Sequence, residues 1–467
     1  MAALPWSNFA PPFSPFITID NIRGVLTLLS ELHTYQVSYV NKLKKDVLKT
    51  VEFSFPQLGN TFQRDRLQHG LDAGIAISLG LLPVFYLISL QLIMVFLFAS
   101  VLLRGKQMFT NLPSFGWQHV LLLQFVIYFL LNILFYSPVE IHAEQLKHVA
   151  LESYVMALFG FAITMLYLGR GRDFMIPLQR WTPLALTLSF LVMSYFFFGP
   201  QGARAQAFST NALVPPLWYL TITLICFCDF KKMDFWQRSL RLALFGSAAV
   251  MCLYSGGRMI LMIWLFCAII LAIYLIRLRP RAGHLLKDSA VLLCVILAIV
   301  GGLYALDAFS GGTIAMRFTY TFDSLRENGM SSTTFYRLEL WAAAMEIIKE
   351  SFPLGVGQIN ERFLIHDIIE RDWLFLSHQT YLSYLVSGGL IALISGILFQ
   401  SAGFGLFTQA TMPAAIGVVV VPALNGLTDS VFQSFFSVQL YMLLILLLVH
   451  SQSVIKADSN NPDYTVL

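Results

Sequence analysis

The residues best suited to chemistry are few, and three of them stand beside long apolar runs. His378 opens "SHQTYLSYLVSGGL", Arg258 follows two glycines in "CLYSGGRMILMIW", and Arg337 lies near the start of "SSTTFYRLELWAAAMEIIKE". A histidine can take up a proton near neutral pH, and a guanidinium can bind phosphate oxygens with two parallel hydrogen bonds. This set indicates proton transfer beside a phosphate-bearing substrate. The simpler interpretation is that His378 and Arg258 anchor helix ends at a membrane surface.

Two further polar residues leave alternatives open. Asp429 in "ALNGLTDSVFQ" stands between two strongly apolar runs. It could be the N-cap of the last helix, pair with an arginine, or hold a histidine in one tautomer. Arg204 in "FGPQGARAQAFSTN" is either a third phosphate ligand or a solvated loop charge.

The composition predicts the elements that must position these residues. With 57% hydrophobic and only 12% charged residues, the chain is too apolar for a soluble protein of 467 residues. Its apolar runs are continuous rather than alternating, so they predict membrane-spanning helices and not a barrel. The expected fold is an all-α polytopic membrane protein with about twelve transmembrane helices. The predicted spans are 69–86, 87–103, 117–136, 149–168, 181–199, 212–228, 239–255, 259–276, 289–306, 379–400, 412–428 and 434–450.

These spans divide the chain into five regions. Residues 1–66 form a cytoplasmic N-terminal arm, 67–306 hold transmembrane helices 1–9, 307–378 form a large periplasmic loop, 379–450 hold helices 10–12, and 451–467 form a cytoplasmic tail. Residues 69–103 could be one long tilted helix or two helices. Pro83 and the excess length favour two.

Charge sets the orientation, because short cytoplasmic loops retain more Lys and Arg than exported loops do. With twelve spans, most loop cations fall in alternate connections, which are therefore cytoplasmic. These cations are Arg104, Lys106, Arg170, Arg172, Arg180, Lys231, Lys232, Arg238, Arg241, Arg277, Arg279, Arg281 and Lys287. The other face carries Lys147, Arg204 and Arg258, together with the long loop that ends at His378.

The long loop contains a predicted amphipathic helix on the membrane surface. Residues 331–334 give a cap signal, "SFPLGVG" ends the helix, and the apolar residues at helical spacing are Leu338, Trp341, Ala342, Met345 and Ile348. Arg337 falls in the first turn, where a cation opposes the helix dipole. Its presence there calls for a packing or anion-binding reason.

The motifs "SGGR", "YRLELWAAAMEIIKESFPLGVG", "SHQTYLSYLVSGGL" and "GLTDS", in this order, resemble the O-antigen ligase and O-antigen polymerase superfamily. The resemblance is strongest over 250–450 and extends loosely to about residue 98, where "LRGKQ" is similar to the ligase branch. It implies a helical glycosyltransferase of the GT-C-like, lipid-donor class at the periplasmic face of the bacterial inner membrane. The implied donor is glycan on undecaprenyl pyrophosphate, and the implied acceptor is lipid A-core.

The resemblance also assigns roles to individual residues. His378 matches the loop histidine, Arg258 and Arg337 match two arginines, and Asp429 matches a late aspartate of the ligase branch. Gln379 departs from the family, in which Asn commonly follows the histidine.

The chemistry is consistent with these residue types. His378 would act as general base on a sugar hydroxyl, and Arg258, Arg337 and Arg204 would neutralise the departing pyrophosphate, so no metal or cofactor is expected. Asp429 and Gln379 would orient the site. The sequence places no second carboxylate as a nucleophile, so we expect a single, inverting displacement.

Other functions are weighed against the ligase. A polymerase would use the same site on a second lipid-linked repeat unit. A lipid-linked glycan transporter would also have many spans, but transporters usually carry ionisable residues near the bilayer midplane. This chain lacks mid-span charges apart from Glu152, which is near a span end. The loop cations account for the net charge of +4, so membrane lipids are expected partners and nucleic acid is not.

Overall fold

The structure is a computed structural model that describes part of the chain. It covers residues 61–104, 113, 115–139, 141–169, 174–198, 208, 213–255, 258–278, 332–369, 377–429, 431–433 and 435–459. Arg204, the ninth predicted span at 289–306 and nearly all of the arm at 1–66 lie outside these residues. Of the predicted loop at 307–378, the part from 332 is described, except for 370–376.

The described residues are helical and contain no strand, which confirms the predicted helical class. In chain order the helices are α1 Thr61–Leu81, α2 Tyr86–Leu102, α3 Trp117–Phe135, α4 Ile141–Leu168, α5 Met175–Phe198, α6 Val214–Ile225, α7 Phe235–Tyr254, α8 Arg258–Leu278, α9 Ser332–Ser351, α10 Glu361–Ile369, α11 Thr380–Ser401, α12 Met412–Gly426 and α13 Phe435–Ser459. Short 3₁₀ turns follow α6, α11 and α12.

Five of these helices are long and apolar enough to cross a membrane. They are Trp117–Phe135, Glu144–Leu168, Met175–Phe198, Met259–Arg277 and Thr380–Leu406. Four shorter apolar helices accompany them: Tyr86–Leu102, Val214–Ile225, Met412–Gly426 and Phe436–Gln452. The number of twelve spans stays a prediction, because a 12-residue helix such as α6 is shorter than the roughly 20 residues that a bilayer core requires.

Residues 69–103 form two helices rather than one. The chain turns at 82–85, which includes Pro83, and α1 and α2 then pack against each other. Gln68 of α1 donates a hydrogen bond to Ser100 of α2, and Asp72 accepts one from the Tyr167 hydroxyl at 2.8 Å. Asp72 is buried, and the bonds it accepts from Tyr167 and, at 3.3 Å, from the Gln68 amide offset the cost of removing its carboxylate from water.

The core lies around the last helix. Every residue from 440 to 448 on α13 is at most 3% exposed, so this helix is covered on all sides. The outer helices differ, because α5 exposes Leu184, Leu188, Leu191 and Tyr195 at helical spacing. Soluble proteins rarely expose an apolar stripe of this length, whereas a lipid-facing helix does. Burial and the apolar helices together indicate a multi-pass membrane protein.

Two predicted loop cations, Arg104 and Arg241, bond to backbone carbonyl oxygens at one end of the bundle. Arg104, at the end of α2, donates to the Tyr167 carbonyl oxygen of α4 at 3.3 Å. Arg241 is not a loop charge as expected: it is buried in α7 and donates to the carbonyl oxygens of Cys226, Gln179 and Gln237 at 2.8 to 3.0 Å. Each of the three guanidinium nitrogens therefore has one backbone acceptor. We refer to this end as the Arg104 end.

Helix α9 begins and ends where the cap signal and the glycines predict. Protein covers its predicted apolar stripe only in part, since Ile348 is buried. Leu338 and Met345 are exposed, whereas Leu340, Ala344 and Ile347 are buried against α10 and α11. The exposed and the buried residues each form an apolar stripe at helical spacing. The sequence alone therefore did not show which of the two stripes packs on protein.

The predicted span at 379–400 is broken in the middle. Gly388 and Gly389 leave helical geometry, and Gly389 has a φ of +63°, so α11 consists of two helical halves. The segment 353–357 lies along this break. Val356 and Gly357 donate to the carbonyl oxygens of Val386 and Ser387, both at 2.8 Å, and Leu390 donates to the Pro353 carbonyl oxygen at 3.0 Å.

Helix α3 supports the same break from the other side. Tyr128 donates to the Gly388 carbonyl oxygen at 2.8 Å, and the Asn132 amide donates to that of Ser387 at 3.3 Å. Asn132 also accepts the Gln358 N–H at 3.0 Å, and Tyr136 donates to the Leu354 carbonyl oxygen at 2.8 Å. The end of α3 therefore lies beside the start of α11, at the end of the bundle opposite the Arg104 end.

The break requires glycine at position 389. A Cβ there would overlap the Pro353 carbonyl oxygen, and the positive φ disfavours an L side chain by about 1–3 kcal/mol. We expect Gly389→Ala to lower the midpoint of thermal unfolding, measured on purified protein by intrinsic fluorescence. Gly70→Ala on α1 is the control, since a Cβ at Gly70 meets no atom within 4 Å. A Gly389→Ala protein as stable as the control would contradict the close packing of segment 353–357 against the break in α11.

Candidate active site

His378 and Asp429 meet at the start of α11, although 50 residues of sequence separate them. The His378 Nδ1 atom lies 3.6 Å from Asp429 Oδ1, which is ion-pair distance but longer than a hydrogen bond. The histidine side chain is 43% exposed and the aspartate side chain 16% exposed. The ring is therefore open to a substrate while its Nδ1 side faces a largely buried carboxylate.

The backbone around His378 is fixed on both sides. His378 has a φ of +48°, a left-handed conformation that is uncommon for a residue with a side chain. The next residue, Gln379, is the N-cap of α11, and its side-chain oxygen accepts the Leu382 N–H. His378 thus precedes the helix, and its neighbour caps the helix. This leaves the imidazole available for another role.

Asp429 is held near the histidine by Thr380, the first residue of α11. The buried Thr380 hydroxyl donates to the Asp429 carbonyl oxygen at 2.8 Å and accepts the Val431 N–H at 3.1 Å. The alternative that Asp429 caps the last helix is wrong, because α13 begins at Phe435. The connection from α12 to α13 is instead tied to α11, directly beside His378.

Arg337 lies on α9, the helix whose Trp341 contacts this turn. It is half-buried on α9, one helical turn before Trp341, so the two side chains share a face. The Trp341 indole donates to the carbonyl oxygen of Ser377, the residue before His378, at 3.0 Å. Among the residues that the structure describes, no carboxylate forms an ion pair with Arg337. Within that part of the chain, the Arg337 guanidinium has no carboxylate partner.

The side chains of the other two predicted arginines lie outside the part of the chain that the structure describes. Arg258 is the first residue of α8, but its side chain lies outside the description. Arg204 lies outside the described residues altogether. Their predicted contact with a phosphate group stays a prediction.

Two charged residues that the sequence analysis did not select also lie here. Glu361 opens α10 and is 1% exposed, and Arg362 follows it, half-buried. Burial lowers the pKa of the Arg362 guanidinium, and the neighbouring Glu361 carboxylate raises it in part. An arginine keeps its charge despite such a shift, because its ordinary pKa lies above 12. The only signal in the sequence was an adjacent acid and base after a glycine-rich turn, which is too common to select a site.

Glu361 contacts the turn that carries His378. Its carboxylate accepts a hydrogen bond from the Ser383 hydroxyl and lies 3.3 Å from the Ser377 hydroxyl. The start of α10 and the start of α11 therefore share a polar cluster of Glu361, Ser377 and Ser383, which adjoins the His378–Asp429 pair.

Comparison with known proteins identifies one domain. The family model described as O-antigen ligase matches residues 242–397, about a third of the chain. The matched segment includes Arg258, Arg337, Glu361 and His378, whereas Asp429 lies beyond it. No curated protein matches the chain.

The capping role of Gln379 can be tested by its stability effect. We expect Gln379→Ala to destabilise the protein by about 1 kcal/mol, because the Leu382 N–H loses its acceptor. Gln379→Asn should keep the stability, since Asn is a preferred N-cap. Thermal unfolding of the purified variants measures both, with the exposed Gln145→Ala on α4 as control. If Gln379→Ala unfolds at the wild-type temperature, the side chain does not act as a cap.

Proposed function

We propose a glycosyltransferase function for this chain, whose residues 242–397 match the family model described as O-antigen ligase. The proposed reaction transfers glycan from undecaprenyl pyrophosphate to a sugar hydroxyl of lipid A-core, at the periplasmic face of the bacterial inner membrane. The observation that carries the proposal is the pairing of His378 with Asp429 at one end of an apolar helix bundle. The site would lie where a lipid-linked donor presents its head group.

His378 is the proposed general base. The acceptor hydroxyl transfers its proton to the imidazole as its oxygen attacks the anomeric carbon of the donor sugar. Asp429 faces Nδ1, so a proton on Nδ1 leaves Nε2 free to accept the proton from the hydroxyl. The carboxylate also stabilises the imidazolium that results. Partial exposure of the ring gives the acceptor access to it.

The arginines are the proposed ligands of the leaving group. When the bond between the anomeric carbon and the pyrophosphate oxygen breaks, negative charge grows on the lipid pyrophosphate, and a guanidinium stabilises it with charge-assisted hydrogen bonds. Arg337 is the described candidate, since it lies one helical turn from Trp341, which bonds to the residue before His378, and forms no ion pair with a described carboxylate. Arg258 and Arg204 are proposed to complete the set. This neutralisation needs no metal, and a single attack inverts the anomeric carbon.

Loss of the base should stop transfer in cells. We expect a deletion strain that carries His378→Ala to leave lipid A-core uncapped and to accumulate lipid-linked polymer, because a general base contributes about 10²–10⁴-fold to rate. The lipopolysaccharide pattern on a gel, with protein levels in membranes measured in parallel, checks this. His366→Ala is the matched control: this histidine lies on α10 beside Asp367, and we expect normal capping.

The same gel separates the ligase from its alternatives. Core that carries a single repeat unit in the deletion strain would identify a polymerase, and neither pattern would be expected of a transporter. Normal capping by the His378→Ala protein at wild-type abundance would contradict the assigned base.

Arg337 should act on the donor. We expect Arg337→Ala to lower kcat/KM for the lipid-linked donor by about 10²–10³-fold, the usual cost of removing one donor to a developing charge. Arg337→Lys should recover part of this loss, because it keeps the charge but not the fork. Initial rates with purified protein measure the effect, and exposed Lys349→Ala on the same helix is the control. Equal donor kinetics for Arg337→Ala and the control would remove Arg337 from the site.

A further inference from the structure

The buried carboxylate of Glu361 contacts the chain on both sides of His378. Ser377 precedes the histidine and Ser383 lies in the first helical turn after it, and both hydroxyls contact Glu361. The three side chains are at most 2% exposed. Glu361 therefore connects the backbone on either side of His378 and Gln379 from within the protein.

The position suits the Glu361 carboxylate despite its burial. Glu361 is the first residue of α10 and reaches the first turn of α11, so it lies at the N-termini of two helices, where the helix dipole stabilises negative charge. Hydroxyl donors and the adjacent Arg362 guanidinium replace part of the lost hydration. Loss of either serine hydroxyl would leave the buried Glu361 carboxylate with fewer hydrogen bonds, so the carboxylate disfavours movement of Ser377 and Ser383.

His378 needs such support. A residue with a side chain loses about 1–2 kcal/mol in the left-handed conformation, which persists only when its surroundings fix it. On one side Ser377 is fixed by Glu361 and by the Trp341 indole. On the other side Ser383 bonds to Glu361, while its N–H bonds to the Gln379 carbonyl oxygen at 3.0 Å.

We infer that Glu361 is a positioning residue that holds the His378 ring against Asp429. The inference rests on the proposed role of His378 as base. Glu361 does not contact the reacting atoms. Its effect passes through two serine hydroxyls and the turn between them.

The test measures His378 itself as well as activity. Full-length protein in detergent is treated with diethyl pyrocarbonate, and the modification rate of each histidine is read by peptide mass spectrometry. We expect Glu361→Ala to raise the rate at His378 several-fold, because the ring leaves Asp429 and becomes more exposed. His366 in the same sample should keep its rate and acts as internal reference. Exposed Glu350→Ala on α9 is the matched control variant.

Kinetics and a conservative variant complete the test. Misplacement of a base by about 1 Å costs about 100-fold, so we expect Glu361→Ala to lose kcat on this scale with the KM for donor little changed. Glu361→Gln should restore both the kinetics and the modification rate, because its amide can accept from one serine and donate to the other. If the wild type itself transfers no glycan, the proposed function fails, while the modification rate still tests the position of His378.

The modification rates decide the inference. A wild-type rate at His378 in Glu361→Ala overturns it. Should that variant fail to fold, the double variant Ser377→Ala/Ser383→Ala removes the same contacts with little change of volume. An unchanged His378 rate in this double variant overturns the inference as well, and a raised rate supports it.

Discussion

The break in α11 is the constraint on which the rest of the site depends. A helix interrupted at Gly388 and Gly389 exposes backbone donors and acceptors inside an apolar bundle, where no water replaces their lost partners. The segment 353–357 supplies these partners through three backbone hydrogen bonds, and α3 supplies the remainder from Tyr128 and Asn132. Irregular backbone at this depth is thus tolerated because protein covers it.

The binding of segment 353–357 to α11 also positions Glu361 and Trp341. Since 353–357 is bound to α11, the helix that follows it, α10, must begin near the first turn of α11, and Glu361 meets Ser383 there. Helix α9, which precedes the same segment, packs along α11 and brings Trp341 to Ser377. Two contacts from a single stretch of chain therefore converge on the residue before His378. The aspartate arrives independently, through Thr380 and the connection between α12 and α13.

The sequence predicted the helical class and the bounds of α9, because apolar runs and cap residues are local signals. The sequence did not predict which face of α9 is buried or which residue Asp429 contacts, because the alternatives fit the local sequence equally well. Either apolar stripe of α9 satisfies the helical period, and only the position of α11 shows that Leu340 and Ala344 are buried while Leu338 is not. Asp429 had several open roles for the same reason: the choice needed a neighbour 50 residues away. Glu361 gave no signal, since a buried carboxylate is recognised by the two serines around it and not by its own position in the chain.

His378 is proposed to act as the general base for a sugar hydroxyl that directly displaces the lipid pyrophosphate from the anomeric carbon. The most direct test of this role is a reaction of purified protein with a defined lipid-linked glycan and lipid A-core in the presence of a metal chelator, with the anomeric linkage of the product read by NMR. The account predicts transfer with inverted configuration by the wild type and no transfer by His378→Ala. Retention of configuration, or transfer that stops when divalent metal is removed, would contradict it.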